Sequence, residues 1–268
     1  MTTLSTETGV GALLRHWREN RRLSQLELAL RADSSARHIS FIETGRSRPS
    51  AEMVLRLAEH LHVPVRDRND LLLAAGYAPQ FAETPLSDPS MGALRAGIDQ
   101  LLRGYEPYPA LVVDGTYNVI ASNGGIQMLM GGVADHLLSP VPNAMRLALH
   151  PEGLAPRIRN LPEWRGHLLH QMERQIALVR SASLRALYDE VAAYPLPRAQ
   201  DPAAGPVGPP EAYFALPLKI EHEGRVLSFV STISTFNTPM DVTVAELAIE
   251  TMLPADPDTV TYLRERAA

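Results

Sequence analysis

Two groups of side chains in this 268-residue sequence have the types and spacing to do chemistry. The first is the run Ser34-Ser35-Ala36-Arg37-His38-Ile39-Ser40, with Gln25 upstream and Arg46 and Arg48 downstream. Almost all basic charge is arginine, Lys219 being the only lysine. A guanidinium keeps its charge and bonds two acceptors at once, which suits phosphates and base edges. The second group is Glu163, His167 and His170, at i, i+4 and i+7 on one helical face. Three such ligands could hold a divalent cation. The spacing arises often by chance, so no metal site is assigned. No G-x-S-x-G elbow, phosphate-binding glycine loop, G-x-G-x-x-G or H-E-x-x-H occurs. Cysteine is absent, which excludes disulfides, zinc–thiolate sites and thiol catalysis. These residues read as a binding protein rather than an enzyme, with no catalytic residues and no resident cofactor.

The elements that must position the first group are short helices. Val10, Leu13, Leu14 and Trp17 make one apolar stripe. Ser24-x-x-Glu27 is a capping box that starts a second helix, running to about Ala32. Asp33 and Ser34 turn the chain, and Ser35 caps a third helix carrying Ile39 and Ile42, ended by Gly45 in the left-handed position. Pro49-Ser50 starts a fourth, with Val54, Leu57, Ala58 and Leu61 inside. Pro64 opens a fifth, with Leu71, Leu72 and Ala75 inside and Gly76 at its end. The second and third helices, joined by so short a turn, must cross steeply, and the small Ala29 sits at the crossing.

The string LSQLELALRADSSARHISFIETGRSRPS resembles the helix-turn-helix of the Xre/Cro/C1 repressor family, a lambda-repressor-like all-α fold, over residues 10–76. The resemblance implies a buried ion pair between Arg18 and Glu43. The family's usual glycine at the turn is Asp33 here, a residue that tolerates left-handed backbone. On DNA the third helix should lie in the major groove with its N-terminal residues at base edges. Ser34, Ser35, Ala36, Arg37, His38 and Ser40 are then the expected exposed reading set. Arg37 is placed for guanine O6 and N7, Ala36 for a thymine methyl, and His38 for a base or phosphate. Gln25, at a helix N-terminus, is expected at a phosphate, and Arg46 and Arg48 at the DNA backbone.

Breakers mark the domain limits. Gly76, Pro79, Pro85, Pro89 and Gly92 divide a helix-turn-helix domain at 1–77 from a linker at 78–92 and a second domain at 93–268. The second domain opens with a helix carrying Leu94, Ile98, Leu101 and Leu102. A hairpin follows, with strands Ala110–Val113 and Tyr117–Ser122 around Asp114-Gly115. Helical stretches come next at 125–131, 143–149, 161–180 and 183–193. Pro195 to Pro210, with six prolines, reads as a long surface loop. Three strands close the chain: Tyr213–Ile220, Arg225–Thr235 and Ala245–Leu253, the last with Leu247, Ile249, Thr251 and Leu253 alternating. The order predicts an α+β layout, one mostly antiparallel sheet with helices on a face and room for a cavity between them.

That order is PAS-like. The strings EPYPALVVD, LHPEGL, STFNTPMDVTVAEL and MLPAD resemble the MmyB-like ligand-binding domain, over residues 78–264. The resemblance implies a transcription regulator whose second domain holds a small apolar effector, a fatty acid being one known type. Tyr105, Tyr108, Met145, Leu149, Trp164, Leu168, Met172, Phe229 and Phe236 are the expected pocket residues: aromatics give shape, and methionine adapts to acyl chains. His150, His167, Arg146 and Arg157 are candidates to meet a carboxylate at the mouth.

Charge agrees with a division of labour. Residues 10–70 hold eleven arginines against eight acids, +3, which leaves −8 for the rest of a chain of net charge −5. No apolar run approaches the roughly 18 residues of a bilayer span, and the N-terminus lacks a secretory pattern, so a cytoplasmic protein without membrane contact is expected. The expected partners are double-stranded operator DNA, a small apolar effector and a second copy of the chain. The alternatives are a second domain that only dimerises or binds a protein partner, or a metal-responsive sensor.

Overall fold

The computed structural model describes residues 9–179, 181–196 and 215–267. It divides into two units, Met1–Thr84 with Thr238–Ala245, and Pro85–Asn237 with Glu246–Ala268.

The first unit holds α1 (Val10–Asn20), α2 (Gln25–Arg31), α3 (Ala36–Glu43), α4 (Ala51–His60) and α5 (Val65–Ala74). The sequence signals act as expected. Ser24 and Glu27 form the reciprocal capping box, and Ser35 and Ser50 accept the third backbone N–H of the helices they start. Asp33 and Gly45 take left-handed backbone, with φ +48° and +72°. Leu14, Trp17, Leu28, Ile39, Ile42 and Leu57 meet in one core, and Ala29 is buried at the α2–α3 crossing.

The expected 78–92 linker is corrected: part of it folds onto this unit. The Asn69 carboxamide donates to the Phe81 carbonyl at 2.7 Å and accepts the Gln80 and Phe81 N–H groups at 3.1 Å. Arg66 pairs with Glu83. The boundary therefore falls at Thr84–Pro85, later than 77, and Pro89–Met91 forms a 3-10 turn. The first unit also takes in Thr238–Ala245, where Val242 N–H donates to the Ala82 carbonyl and Thr84 N–H to Asp241. A boundary read from consecutive breakers cannot include a segment so distant in the chain.

The remaining elements, in chain order, are α6 (Gly92–Tyr105), β1 (Ala110–Val113), β2 (Val119–Ser122), α7 (Gly124–Leu129), α8 (Asp135–Leu138), α9 (Ala144–Leu149), α10 (Leu161–Leu178), α11 (Ala182–Ala192), β3 (Leu218–His222), β4 (Arg225–Thr235), α12 (Val242–Glu246), β5 (Ala248–Pro254) and α13 (Pro257–Ala267). The strands form one antiparallel sheet ordered β2-β1-β5-β4-β3. The α+β expectation holds.

Its strand limits differ in three places. Tyr117 has φ +63°, and the Asp114 carboxylate accepts the Thr116 and Asn118 N–H groups, so β2 starts at Val119 rather than Tyr117. Asp241 accepts the Thr243 N–H and α12 follows, so the last strand starts at Ala248 rather than Ala245. β3 starts at Leu218 and extends to His222. Most of the Pro195–Pro210 loop, and the Tyr213 end of the expected strand, lie outside the described residues. The one-turn α8 and the C-terminal α13, capped where Thr259 N–H donates to Asp256 Oδ1, were not expected.

The central strands are covered on both faces. Leu111 and Val113 of β1 join one core with Trp164, Leu168 and Met172 of α10 and with Phe229 of β4. Ala110 and Val112 pack the other way, with Ile98 and Leu102 of α6 and with Leu247 and Ile249. Among the described residues no helix is long and apolar enough to cross a membrane.

Candidate functional site

At the helix-turn-helix, α3 is held from behind by charge. Arg18 Nε donates to Glu43 Oε1 at 2.6 Å and Nη2 to Oε2 at 2.9 Å, a bidentate pair, while Nη1 donates to the Leu23 carbonyl at 2.8 Å. The Arg18 and Glu43 side chains are 10% and 2% exposed. The hydrogen bond that Arg18 donates to Glu43 outweighs burial and raises the Arg18 pKa. Gln25 Nε2 also donates to Glu43 Oε2, at 2.8 Å. Gly11 permits the close approach of α1: a Cβ there would stand 2.2 Å from the Ile42 carbonyl oxygen.

These contacts sort the expected DNA set. Ser35 and Arg37 are exposed at the start of α3, with Arg46 exposed in the loop beyond it. The Arg37 and Arg46 guanidiniums lie 5.2 and 6.0 Å from the Phe41 ring centroid, so Phe41 is a shared platform that the sequence reading missed. Ser34, Ala36, His38 and Ser40, expected exposed, are half-buried. Ala36 packs on the core, and Ser34 Oγ lies 3.3 Å from His38 Nδ1. Two residues of the set already have protein partners. Gln25 spends its amide on Glu43 because the ion pair lies within its reach. Arg48 donates to the Ala75 and Gly76 carbonyls and stacks on Tyr77, bracing the end of α5 rather than standing free.

In the second unit, Met145, Leu149, Trp164, Leu168, Met172 and Phe229 share one buried layer, and Tyr108 packs against it. Tyr105 and Phe236 do not join them, because both lie with α6 on the opposite side of the sheet. His167 is exposed, its ring tilted on Trp164. His150 stands edge-on to Tyr194, with ring centroids 4.9 Å apart. Of the proposed mouth cations, Arg146 is taken by Glu190 at 2.7 Å and Arg157 by the Leu129 carbonyl.

Glu163, His167 and His170 are not brought together. The group of His and acidic side chains whose ligand atoms lie within 4.8 Å of one another, among the described residues, is His136, His150 and Glu152. There His150 Nδ1 already accepts the Glu152 N–H at 3.1 Å. A cation at that nitrogen would displace an existing bond.

One polar residue stands inside the sheet–helix layer. Glu250 is the third residue of β5, opposite Leu111 on one side and Ile233 on the other. Its same-face neighbours Ala248 and Met252 pack on the core that includes α10. Burial pushes its carboxyl above the ordinary range. Nearby, the buried Tyr117 hydroxyl accepts from Gln171 of α10 at 3.4 Å. Burial raises the Tyr117 pKa, Gln171 lowers it, and the Glu250 charge raises it further. The alternation read in β5, Leu247, Ile249, Thr251 and Leu253, is the phase opposite to Glu250, and Leu247 and Ile249 pack with α6.

The family of MmyB-like transcription regulator ligand-binding domains matches residues 94–265, well over half of the chain. The chain belongs to this family. A helix-turn-helix domain model matches residues 10–71. The two together make this MmyB-like protein a ligand-responsive transcription regulator with a DNA-binding N-terminal domain. Among solved structures, the clp gene regulator ClgR from Corynebacterium glutamicum is 27% identical over 36% of this chain and 86% of its own, with a TM-score of 0.22. An RNA-binding light-oxygen-voltage receptor is 12% identical over 97% of this chain and 61% of its own, with a TM-score of 0.29. No curated protein matches.

Proposed function

We propose that this MmyB-like regulator reads a specific operator with α3 and that a small apolar effector in the second domain changes its affinity for that operator. The observation carrying this reading is Arg37. It is exposed at the N-terminal end of a helix whose rear is fixed by the Arg18–Glu43 pair. A fixed helix presents its guanidinium at low entropic cost, and a bidentate contact to guanine discriminates bases. Arg46 supplies a sequence-independent phosphate contact.

Each chain offers one reading helix, so the regulator acts as a homodimer on half-sites about 34 Å apart. Effector then favours the dimer geometry that it binds better, and operator DNA must change effector affinity by the same factor. The apolar layer of Trp164, Leu168 and Met172 supports an apolar effector, of which a fatty acid is one form.

Gel shifts across salt and base substitutions test the reading. Arg37→Ala should cost about 1–3 kcal/mol on the specific site and relax one base position. Arg46→Ala should weaken all sequences alike and lower the salt slope by about 1. An unchanged site preference in Arg37→Ala would remove that residue from the reading set. Identical effector affinities with and without operator would refute the coupling.

A further inference from the structure

The ring of Phe41 is half-buried on α3 and does not join the core that Ile39 and Ile42 enter from the same helix. It meets charge instead. Arg37, one turn earlier on the same face, holds its guanidinium carbon 5.2 Å from the Phe41 ring centroid, and Arg46, in the loop after the helix, holds its own at 6.0 Å. The main chain of Phe41 fixes that loop as well. Gly45 turns left-handed, with φ +72°, and the Arg46 and Ser47 N–H groups donate to the Phe41 carbonyl at 2.8 and 3.1 Å. One residue therefore sets the place of two cations, Arg37 through its ring and Arg46 through ring and carbonyl together.

The kind of partner matters. Arg18 meets a carboxylate, and Glu43 takes its Nε and Nη2 donors. A ring face attracts the charge of a guanidinium but leaves its N–H donors for other acceptors. Among the described residues neither Arg37 nor Arg46 has a carboxylate partner: the ion-paired arginines of this unit are others, among them Arg15, Arg18, Arg56 and Arg66. Both guanidiniums thus stand in place with their donors open. An arginine already held loses less rotamer freedom on binding than a free one.

We propose that Phe41 is a positioning residue of the operator interface: its ring holds Arg37 and Arg46 in place for DNA while leaving their donors free, and so sharpens the base preference that Arg37 imposes. The inference rests on the reading of Arg37 as a base contact and of Arg46 as a phosphate contact, and adds the residue through which both are aimed. Phe41 acts through the arginines and not by touching the duplex. Removing the aromatic face with both charges kept lets the Arg37 side chain sample other rotamers. The selective contact then weakens more than the general attraction to phosphate.

The test is a gel-shift series on duplexes that the full-length parent protein selects from a randomised pool, each compared with its single-base variant at the position that Arg37→Ala relaxes. Phe41→Leu should reduce that discrimination about three- to fivefold, while Phe41→Tyr, which keeps the ring face, should stay within about 1.5-fold of the parent. Because the ring lies outside the core, the urea midpoint of Phe41→Leu should match the parent's. Added to an Arg37→Ala, Arg46→Ala protein, Phe41→Leu should leave DNA affinity unchanged, whereas a ring that touches the duplex or shapes α3 would still lose affinity there. Parent-like discrimination in Phe41→Leu, a loss in Phe41→Tyr as large as in Phe41→Leu, a further loss in the doubly substituted background, or a Phe41→Leu protein that no longer folds would each overturn the positioning role while leaving Arg37 as the base contact. A parent that selects no sequence, or an Arg37→Ala protein with the parent's preference, would overturn that reading and this one with it.

Discussion

The two units treat buried charge in opposite ways. In the helix-turn-helix, Glu43 is almost fully buried, and both its oxygens are bonded, by Arg18 and Gln25. In the ligand-binding domain, Glu250 is less buried and unbonded. The buried side-chain polar atoms left without a hydrogen-bond partner among the described residues, Arg165 Nε and His222 Nε2, also lie there. A closed network fixes geometry and gains nothing from a further ligand. An open group stays available to one. The domain that must present a rigid surface to DNA has satisfied its polar atoms, and the domain whose family binds a ligand has not.

The largest break in this comparison is Glu43→Ala. It strands the Arg18 guanidinium, and should cost on the order of 3–5 kcal/mol in urea unfolding of the N-terminal unit, with operator binding lost. A cost near that of a surface mutation would mean that the pair is not what holds α3. Gly11→Ala comes next. Its Cβ would meet the Ile42 and Glu43 carbonyl oxygens at 2.2 and 2.8 Å, both backbone, so α1 must move. A loss of roughly 1–3 kcal/mol is expected, with weaker operator binding because α3 shifts with it. Normal affinity in a destabilised Gly11→Ala protein would separate stability from presentation.

The smallest effect sharpens the other side. Arg146, chiefly through its hydrogen bond, holds the Glu190 carboxyl below the usual range, and the two side chains are 39% and 38% exposed. A depressed folded pKa contributes stability above the unfolded value, lost as pH falls through the folded one. Solvent screening keeps the loss in Glu190→Gln below about 1 kcal/mol at pH 7, and the difference from the parent should close toward pH 3 in thermal melts. The Tyr194 hydroxyl, which donates to Glu190, is pushed up to about 12 by burial first and by Glu190 second. Its phenolate absorbance should therefore appear last of the tyrosines in an alkaline titration.

How far the sequence could be read depended on how local the determinants were. Ser24, Ser35, Asp33 and Gly45 act within a few residues of themselves, so the helices of the first unit and their turns were legible. The Arg18–Glu43 pair was legible only through resemblance. The protein partners of Gln25 and Arg48, Glu43 and the carbonyls of Ala75 and Gly76, were not legible because they are 18 or more residues away in the chain. In the second unit the type of most elements was legible, but the facing of residues was not. β5 is apolar in one phase and mixed in the other, and both faces are covered, so alternation alone could not say which face meets α10.

Sequence by itself determined the caps, the turns, the helical stripes and the order of elements, because these follow from backbone preferences and periodicity over short windows. Only the tertiary structure decided which charges are spent and which are left open: Glu43 closed by two partners, Arg48 tied down, Tyr105 and Phe236 on the far side of the sheet, and Glu250 unpartnered at its centre. Those outcomes depend on distances between residues far apart in the chain, which packing sets and no local pattern encodes.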